Sequence, residues 1–175
     1  MIKIFKSFGG YIEIPQPEQG CWINVIKPTQ EEIKQVSRDY GLPEDLINDI
    51  LDADERPRLE FEDNWTLIIF RIPVEISNNG VPFNTIPLGI FIMENFTLTI
   101  CVEENEVLPI GQPSASREQY RQITDSINFI LRLYLRSGNL YLKYLKHINQ
   151  MTSVIEQDLE KSIKNRELNK LLKME

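Results

Sequence analysis

Residues 41–61 read GLPEDLINDILDADERPRLEF, and they hold a helix start, an apolar helical face, a row of carboxylates and an Arg-Pro stop that runs into a strand. Gly41 suits the left-handed cap of a preceding helix. Pro43 suits a first helical position, and Glu44 and Asp45 favour the positive end of the helix dipole. Leu46, Ile47, Ile50 and Leu51 share one helical face, while Asp45, Asp49 and Asp52 line the opposite one. Pro57 restricts Arg56 to extended backbone, so the helix is expected to end near Asp54 or Glu55. From Arg58 to Glu62 charged and apolar residues alternate, the pattern of a half-exposed strand.

The charge of the chain is concentrated in the same place. Nine of the 26 acids fall between Glu44 and Asp63, and only Arg56 and Arg58 oppose them. Two bases against nine acids give this segment the −7 of the whole chain, and everything outside it balances. A second asymmetry separates residues 113–175, with 11 bases against 7 acids, from residues 1–112, with 8 against 19. The net charge argues against a nucleic-acid partner, because phosphate neutralisation needs a basic face.

A chain of 175 residues with 42% hydrophobic and 26% charged residues is an ordinary globular composition. It can bury a sizeable core without a disulfide or metal staple. Cys21 and Cys101 lie in apolar settings without a CxxC spacing, as expected of small buried thiols in a reducing compartment. The first residues, MIKIFKSFGGYIEI, lack the long apolar core of a secretory signal. No apolar run approaches the roughly 20 residues of a membrane helix.

Upstream of the acidic segment, 2–5 and 11–14 are β-rich runs around Gly9-Gly10 and read as a hairpin. Cys21 to Val25 reads as a buried strand. Thr29 and Glu32 have capping-box spacing, and Ile33, Val36 and Tyr40 continue that helix. Downstream, Trp65 to Val74 is apolar at both parities and reads as a central strand. Asn78-Asn79-Gly80 is a hairpin turn. Phe83 to Met93 returns as a strand despite Pro87, and Phe96 to Val102 completes an antiparallel meander. After Pro113 the pattern turns helical. Ile123, Ile127, Ile130, Leu131 and Tyr134 have helical spacing, Ser137-Gly138 marks an end or kink, and Leu140 to Glu175 reads as one long helix. Its stripe is Leu145, Ile148, Met151 or Thr152, Ile155, Leu159, Ile163 and Leu168. The division expected is therefore an α/β sheet domain over 1–112 and a helical segment over 113–175. The apolar pattern still runs at LLKME, so the helix is expected to continue in a longer parent protein.

Catalytic patterns are missing. The single histidine, His147, has no second imidazole or cysteine near it in sequence and reads as a surface residue of the long helix. There is no GxSxG, Walker loop or GxGxxG. Asp45, Asp49 and Asp52 have two readings: a solvated acidic face, or a site for a hard divalent ion such as magnesium, which needs only one or two carboxylates and keeps several waters. Spacing alone favours the solvated face.

The order of segments resembles the cytoplasmic part of the CorA-type divalent-cation channels. The residues that carry the resemblance are Trp22-Ile23-Asn24, Tyr40-Gly41-Leu42-Pro43, Leu46-Ile47-Asn48-Asp49-Ile50-Leu51 and Arg56-Pro57-Arg58-Leu59-Glu60. The strand from Trp65, Pro87-Leu88-Gly89-Ile90 and a helical C-terminal half follow in order. The resemblance implies an α+β-type α/β domain, with a mixed, largely antiparallel sheet between helices, followed by long C-terminal helices that lead toward a stalk. It implies a homopentamer of identical subunits at the cytoplasmic face of a membrane, with the pore in membrane helices beyond these residues. The family's Gly-Met-Asn pore motif does not occur here. Asp49 matches a family Asp that binds regulatory Mg2+ at the interface with a neighbouring subunit, and Asn48 stands where a second, often acidic, ligand stands. Leu135 lies near the position of a further family acid. Co2+ or Zn2+ are alternative ions. The competing readings are a zinc transporter of the related ZntB type and a soluble oligomerising adaptor with a coiled-coil helix. An enzyme is the least supported.

Overall fold

In the computed structural model, which describes residues 1–9, 12–76, 82–110 and 125–172, the β-rich runs form six strands. They are β1 (Ile2–Phe5), β2 (Cys21–Ile26), β3 (Arg58–Phe61), β4 (Trp65–Glu75), β5 (Phe83–Met93) and β6 (Phe96–Cys101). Among the described residues three helices accompany them: α1 (Gln30–Tyr40), α2 (Glu44–Leu51) and α3 (Ser126–Leu172). The strands make one sheet in the order β1-β2-β6-β5-β4-β3. Every neighbouring pair is antiparallel except β2 with β6, which is parallel. The sheet is thus mixed and largely antiparallel, as expected. A parallel pair needs a crossover connection, and here α1, α2 and the β3–β5 meander supply it.

Side-chain alternation sorts the sheet into two buried faces. On one, Cys21, Ile23 and Val25 of β2, Leu98 and Ile100 of β6, Phe91 of β5, and Leu67 and Ile69 of β4 pack with Ile33 and Val36 of α1 and Ile47 and Ile50 of α2. On the other, Trp22 meets Phe129 of α3 at 5.1 Å between ring centroids, Phe8 stacks on Phe129 at 4.7 Å, and Phe70 meets Tyr134 at 4.4 Å. Both faces being covered explains why all six residues of β2 are buried. The polar atoms on that second face are paired. Trp22 Nε1 donates to Thr99 Oγ1 at 2.9 Å, and the Thr99 hydroxyl donates to Asn24 Oδ1 at 2.8 Å.

Several sequence expectations took a different form. Among the described residues, the expected hairpin is reduced to an antiparallel bridge between Phe5 and Glu13, with Lys6 N donating to Ile12 O at 2.9 Å and Ile14 N to Ile4 O at 2.8 Å, while the ladder partner of β1 is β2. Gly10 and the turn at Asn78-Asn79-Gly80 lie outside the described residues, although Ile76 N donates to Pro82 O at 2.7 Å across the latter. Pro87 does not interrupt β5, because β6 pairs with β5 only from Leu88 onward and leaves Pro87 a neighbour on one side alone. Ser137-Gly138 does not end the helix, which is assigned without a break from Ser126 to Leu172. A helical glycine costs about 1 kcal/mol relative to alanine, and the burial of Phe129, Ile130 and Leu133 on the same helix outweighs it. The segment before Asp125, including Ile123, lies outside the described residues.

The chain forms two compact units, Met1–Ser137 and Gly138–Glu175. The first contains the sheet, α1, α2 and the first turns of α3. The second is the remainder of α3, with Leu142, Leu145, Met151, Ile155, Leu159 and Ile163 exposed along it. Among the described residues, no helix is long and apolar enough to cross a membrane.

Candidate metal site on the acidic helix

Both ends of α1 follow from its sequence. Thr29 caps it by accepting from the Glu32 amide, Glu32 Oε2 accepts from the Thr29 amide at 2.9 Å, and Gly41 closes it with φ 66°. The tight Gly41 cap turns the chain directly into α2. Pro43 is the residue before the helix and not its first helical position, and α2 ends at Leu51 with Asp52 as C-cap, short of the expected Asp54. The reason for the early stop is local: Asp52 Oδ1 accepts from the Asp54 amide at 3.0 Å and folds the next residues into a turn.

Burial of Ile47 and Ile50 sets the orientation of α2. Ile50 lies against β5 at Gly89, where a Cβ would meet Ile50 Cδ1, Cγ1 and Cγ2. Only glycine lets the helix come this close to the sheet. With that side inward, Asp45, Asn48 and Asp52 are exposed and Asp49 is half-exposed.

The carboxylates of this helix are engaged separately. Asp52 serves its own turn. Asp49 Oδ2 accepts from Arg58 Nη2 at 2.9 Å. The same guanidinium pairs through Nη1 with Glu55 and through Nε with Glu60. One base on β3 therefore gathers three acids from α2, the following turn and its own strand, and the quartet keeps a formal charge of −2. Burial works against the charge on Arg58, but its bonds to Glu60 and Asp49 and the nearby Glu55 outweigh that and raise its pKa above the ordinary value.

This quartet also explains the burial pattern of β3. Alternation is present, but Arg58 and Glu60 point to the half-buried side beneath α2, while Leu59 and Phe61 are exposed. A second arginine supports the turn. Arg71 Nη1 donates to Ala53 O and Glu55 O, both at 2.9 Å, and its Nε donates to Thr85 Oγ1 at 2.9 Å. The turn that carries Glu55 is thereby tied to β4 and β5.

Sequence reading placed Asp49 opposite the apolar face of α2, where it is half-exposed, and the family resemblance singled out its neighbour Asn48, which is exposed. It did not bring out Arg58 as the partner of Asp49, Arg71 as the holder of the turn, or Gly89 as the contact that seats the helix. The signals were a lone arginine inside the apolar run 65–74 and a lone glycine inside the apolar run 83–93. Among the described residues, no three His, Cys, Asp or Glu side chains are grouped so as to hold a metal ion. Asp49 offers one carboxylate, with 48% of its side chain exposed and Oδ1 outside the Arg58 bond. A hard divalent ion held there would need ligands from water or another chain. Cys21 and Cys101 are both fully buried, with burial pushing the Cys101 thiol up to about 11.

Comparison with known proteins gives concordant results. The family model described as CorA-like Mg2+ transporter protein matches residues 17–175. The cobalt/magnesium transport protein CorA of Methanocaldococcus jannaschii is 33% identical over 91 residues, which are 52% of this chain and 27% of that protein. The complete structure of the CorA magnesium transporter of that organism superimposes with a TM-score of 0.71 at 22% identity, over 91% of this chain and 51% of the other. The structure of its soluble domain superimposes with a TM-score of 0.70 at 21% identity, over 91% and 64%. The ZntB cytoplasmic domain of Vibrio parahaemolyticus gives 0.59 at 12% identity, over 83% and 62%. The chain thus spans about half the length of the complete CorA structure, and its fold is that of the CorA soluble domain. The chain belongs to the CorA-like Mg2+ transporter family.

Proposed function

We propose that this chain is the cytosolic, metal-sensing domain of a CorA-like magnesium and cobalt channel, working as a homopentamer at the cytoplasmic face of a membrane. Asp49 is the ligand through which a divalent cation bridges adjacent subunits, and Asn48 contributes a weaker oxygen beside it. The observation that carries this reading is the placement of Asp49: a half-exposed carboxylate on the outer side of α2, amid the segment that holds the chain's whole net charge.

The mechanism is electrostatic. Bringing acidic segments of neighbouring subunits together costs Coulomb energy, and a divalent ion between them offsets it. At high magnesium the bridged, closed arrangement is favoured; as magnesium falls, the carboxylates repel and the assembly opens. The ion shifts this equilibrium only by its differential affinity for the two arrangements. Asn48 in place of an acid lowers the charge of the site and so weakens its hold on the ion.

The test is a Mg2+ titration of the full-length protein in liposomes, read by ion flux and by protection from a protease. Wild type should lose flux and gain protection as Mg2+ rises. Asp49→Ala should keep conducting at high Mg2+ and stay protease-sensitive. Unchanged responses in that variant would defeat the reading. The likeness to the ZntB cytoplasmic domain supports a second reading in which zinc is the transported ion, and comparing Zn2+ with Mg2+ flux separates the two.

A further inference from the structure

We infer that Arg58 is the built-in competitor of the divalent cation at Asp49, an exchangeable counter-ion that sets the concentration at which the site responds; this rests on the reading of Asp49 as a metal ligand. Asp49 is not a free carboxylate. Its Oδ2 is bonded to Arg58 Nη2 at 2.9 Å, so a cation that takes both carboxylate oxygens must first displace a guanidinium.

The geometry makes that displacement inexpensive. Arg58 meets its three acids through three different nitrogens, Nη2 for Asp49, Nη1 for Glu55 and Nε for Glu60. Losing Asp49 still leaves it paired twice. Glu55 stays in place because Arg71 holds the carbonyls of Ala53 and Glu55, and Glu60 stays because β3 is laddered to β4. A lone Asp49–Arg58 pair would leave a stranded, partly buried cation on release, which is the costly outcome. Three acids on one base remove that penalty. Glu55 and Glu60 are thus positioning residues: they give Arg58 somewhere to go.

The arrangement predicts shifts of opposite sign, read as the Mg2+ concentration at half-maximal protease protection of the full-length protein. Arg58→Gln removes the competitor and should lower the midpoint about fivefold, the scale of a partly exposed ion pair. Glu60→Gln removes a fallback partner, holds Arg58 more firmly on Asp49, and should raise the midpoint about threefold. Arg56→Gln is the control for loss of one positive charge, since Arg56 is exposed two residues away; it should move the midpoint less than twofold. The decisive comparison is the double variant. If Glu60 acts through Arg58, then Glu60→Gln has no further effect in the Arg58→Gln background. Where Arg58→Gln fails to fold, Arg58→Lys, which keeps the charge without the three-way fork, should lower the midpoint to an intermediate value.

The outcomes separate the two layers of the argument. An unchanged Mg2+ response in Asp49→Asn overturns the metal site itself. Loss of response in Asp49→Asn, with Arg58→Gln moving the midpoint no more than Arg56→Gln, overturns the competitor role and leaves the site standing. A full Glu60→Gln effect in the Arg58→Gln background also overturns it, because the acid would then act by charge alone.

Discussion

Gly89→Ala should be among the more damaging one-methyl changes in this protein. The added Cβ would lie 2.7 Å from Ile50 Cγ1 and 2.9 Å from Cγ2, with Cδ1 closer still. Ordinary carbon contacts begin near 3.5 Å, so clearing Cγ1 alone requires about 0.8 Å of movement. Ile50 cannot supply it by rotating, because a β-branched side chain in a helix has essentially one χ1 rotamer. The helix itself must lift from the sheet. Overpacking of this kind costs about 1–3 kcal/mol, and the lower backbone entropy of alanine returns about 0.5–1 kcal/mol. We expect a net loss of about 1.5 kcal/mol and a Tm lower by about 5 °C. Denaturant unfolding followed by tryptophan fluorescence reports on the right unit, since Trp22 and Trp65 both lie within Met1–Ser137. The partner change sharpens the test. Ile50→Ala alone should cost about 3 kcal/mol through the cavity it leaves. Combined with Gly89→Ala the cost should stay near about 3 kcal/mol, because the added methyl then enters the vacated space. A Gly89→Ala protein as stable as wild type, or strict additivity of the two changes, would refute the close-approach argument.

Two other consequences are testable at once. Arg71→Ala removes the donors that hold Ala53 O, Glu55 O and Thr85 Oγ1; it should cost about 2 kcal/mol, as for bonds to a charged group, and speed hydrogen exchange of the amides at 52–56 while leaving α1 protected. Glu32 is held below the ordinary carboxylate value by its bond to the N-terminal ammonium and by the Thr29 amide; a carboxyl whose folded pKa is depressed contributes stability that is present above the unfolded value near 4.5 and is lost as pH falls through the lower, folded value. N-terminal acetylation or Glu32→Gln should therefore shrink the acid-dependent loss in that window, measured by urea unfolding from pH 6 downward, and an unchanged acid limb would count against the pairing.

The parts of the fold that were legible in the sequence are those that neighbours along the chain decide. Thr29, Glu32 and Gly41 bound α1 because a cap is made by residues within one turn of it. The strands around 65–75 and 83–93 were readable from the density of apolar and β-branched residues. The expected pairing of 2–5 with 11–14 is present only as the Phe5–Glu13 bridge, and the ladder of β1 with β2 was not legible because no turn signal joins those two runs. The continuity of α3 through Gly138 was hidden for a similar reason: a local breaker was weighed without the burial of Phe129 and Leu133 that overrides it.

The candidate site divides along the same line. The sequence by itself determined that 44–63 is strongly acidic, that Asp45, Asp49 and Asp52 lie on the outer face of an amphipathic helix, and that the Arg56-Pro57 stop leads into a strand. Each of these rests on helical or strand periodicity and on composition. Only the tertiary structure decided which base answers which acid: Arg58 and not Arg56, through three nitrogens and with Arg71 steadying the turn. It also decided that Gly89, 39 residues from Ile50 in sequence, seats the helix against the sheet. The physical reason is range. Periodicity reports which face of an element is buried, but an ion pair or a close packing contact depends on the distance between two elements, which is set only when the sheet is assembled.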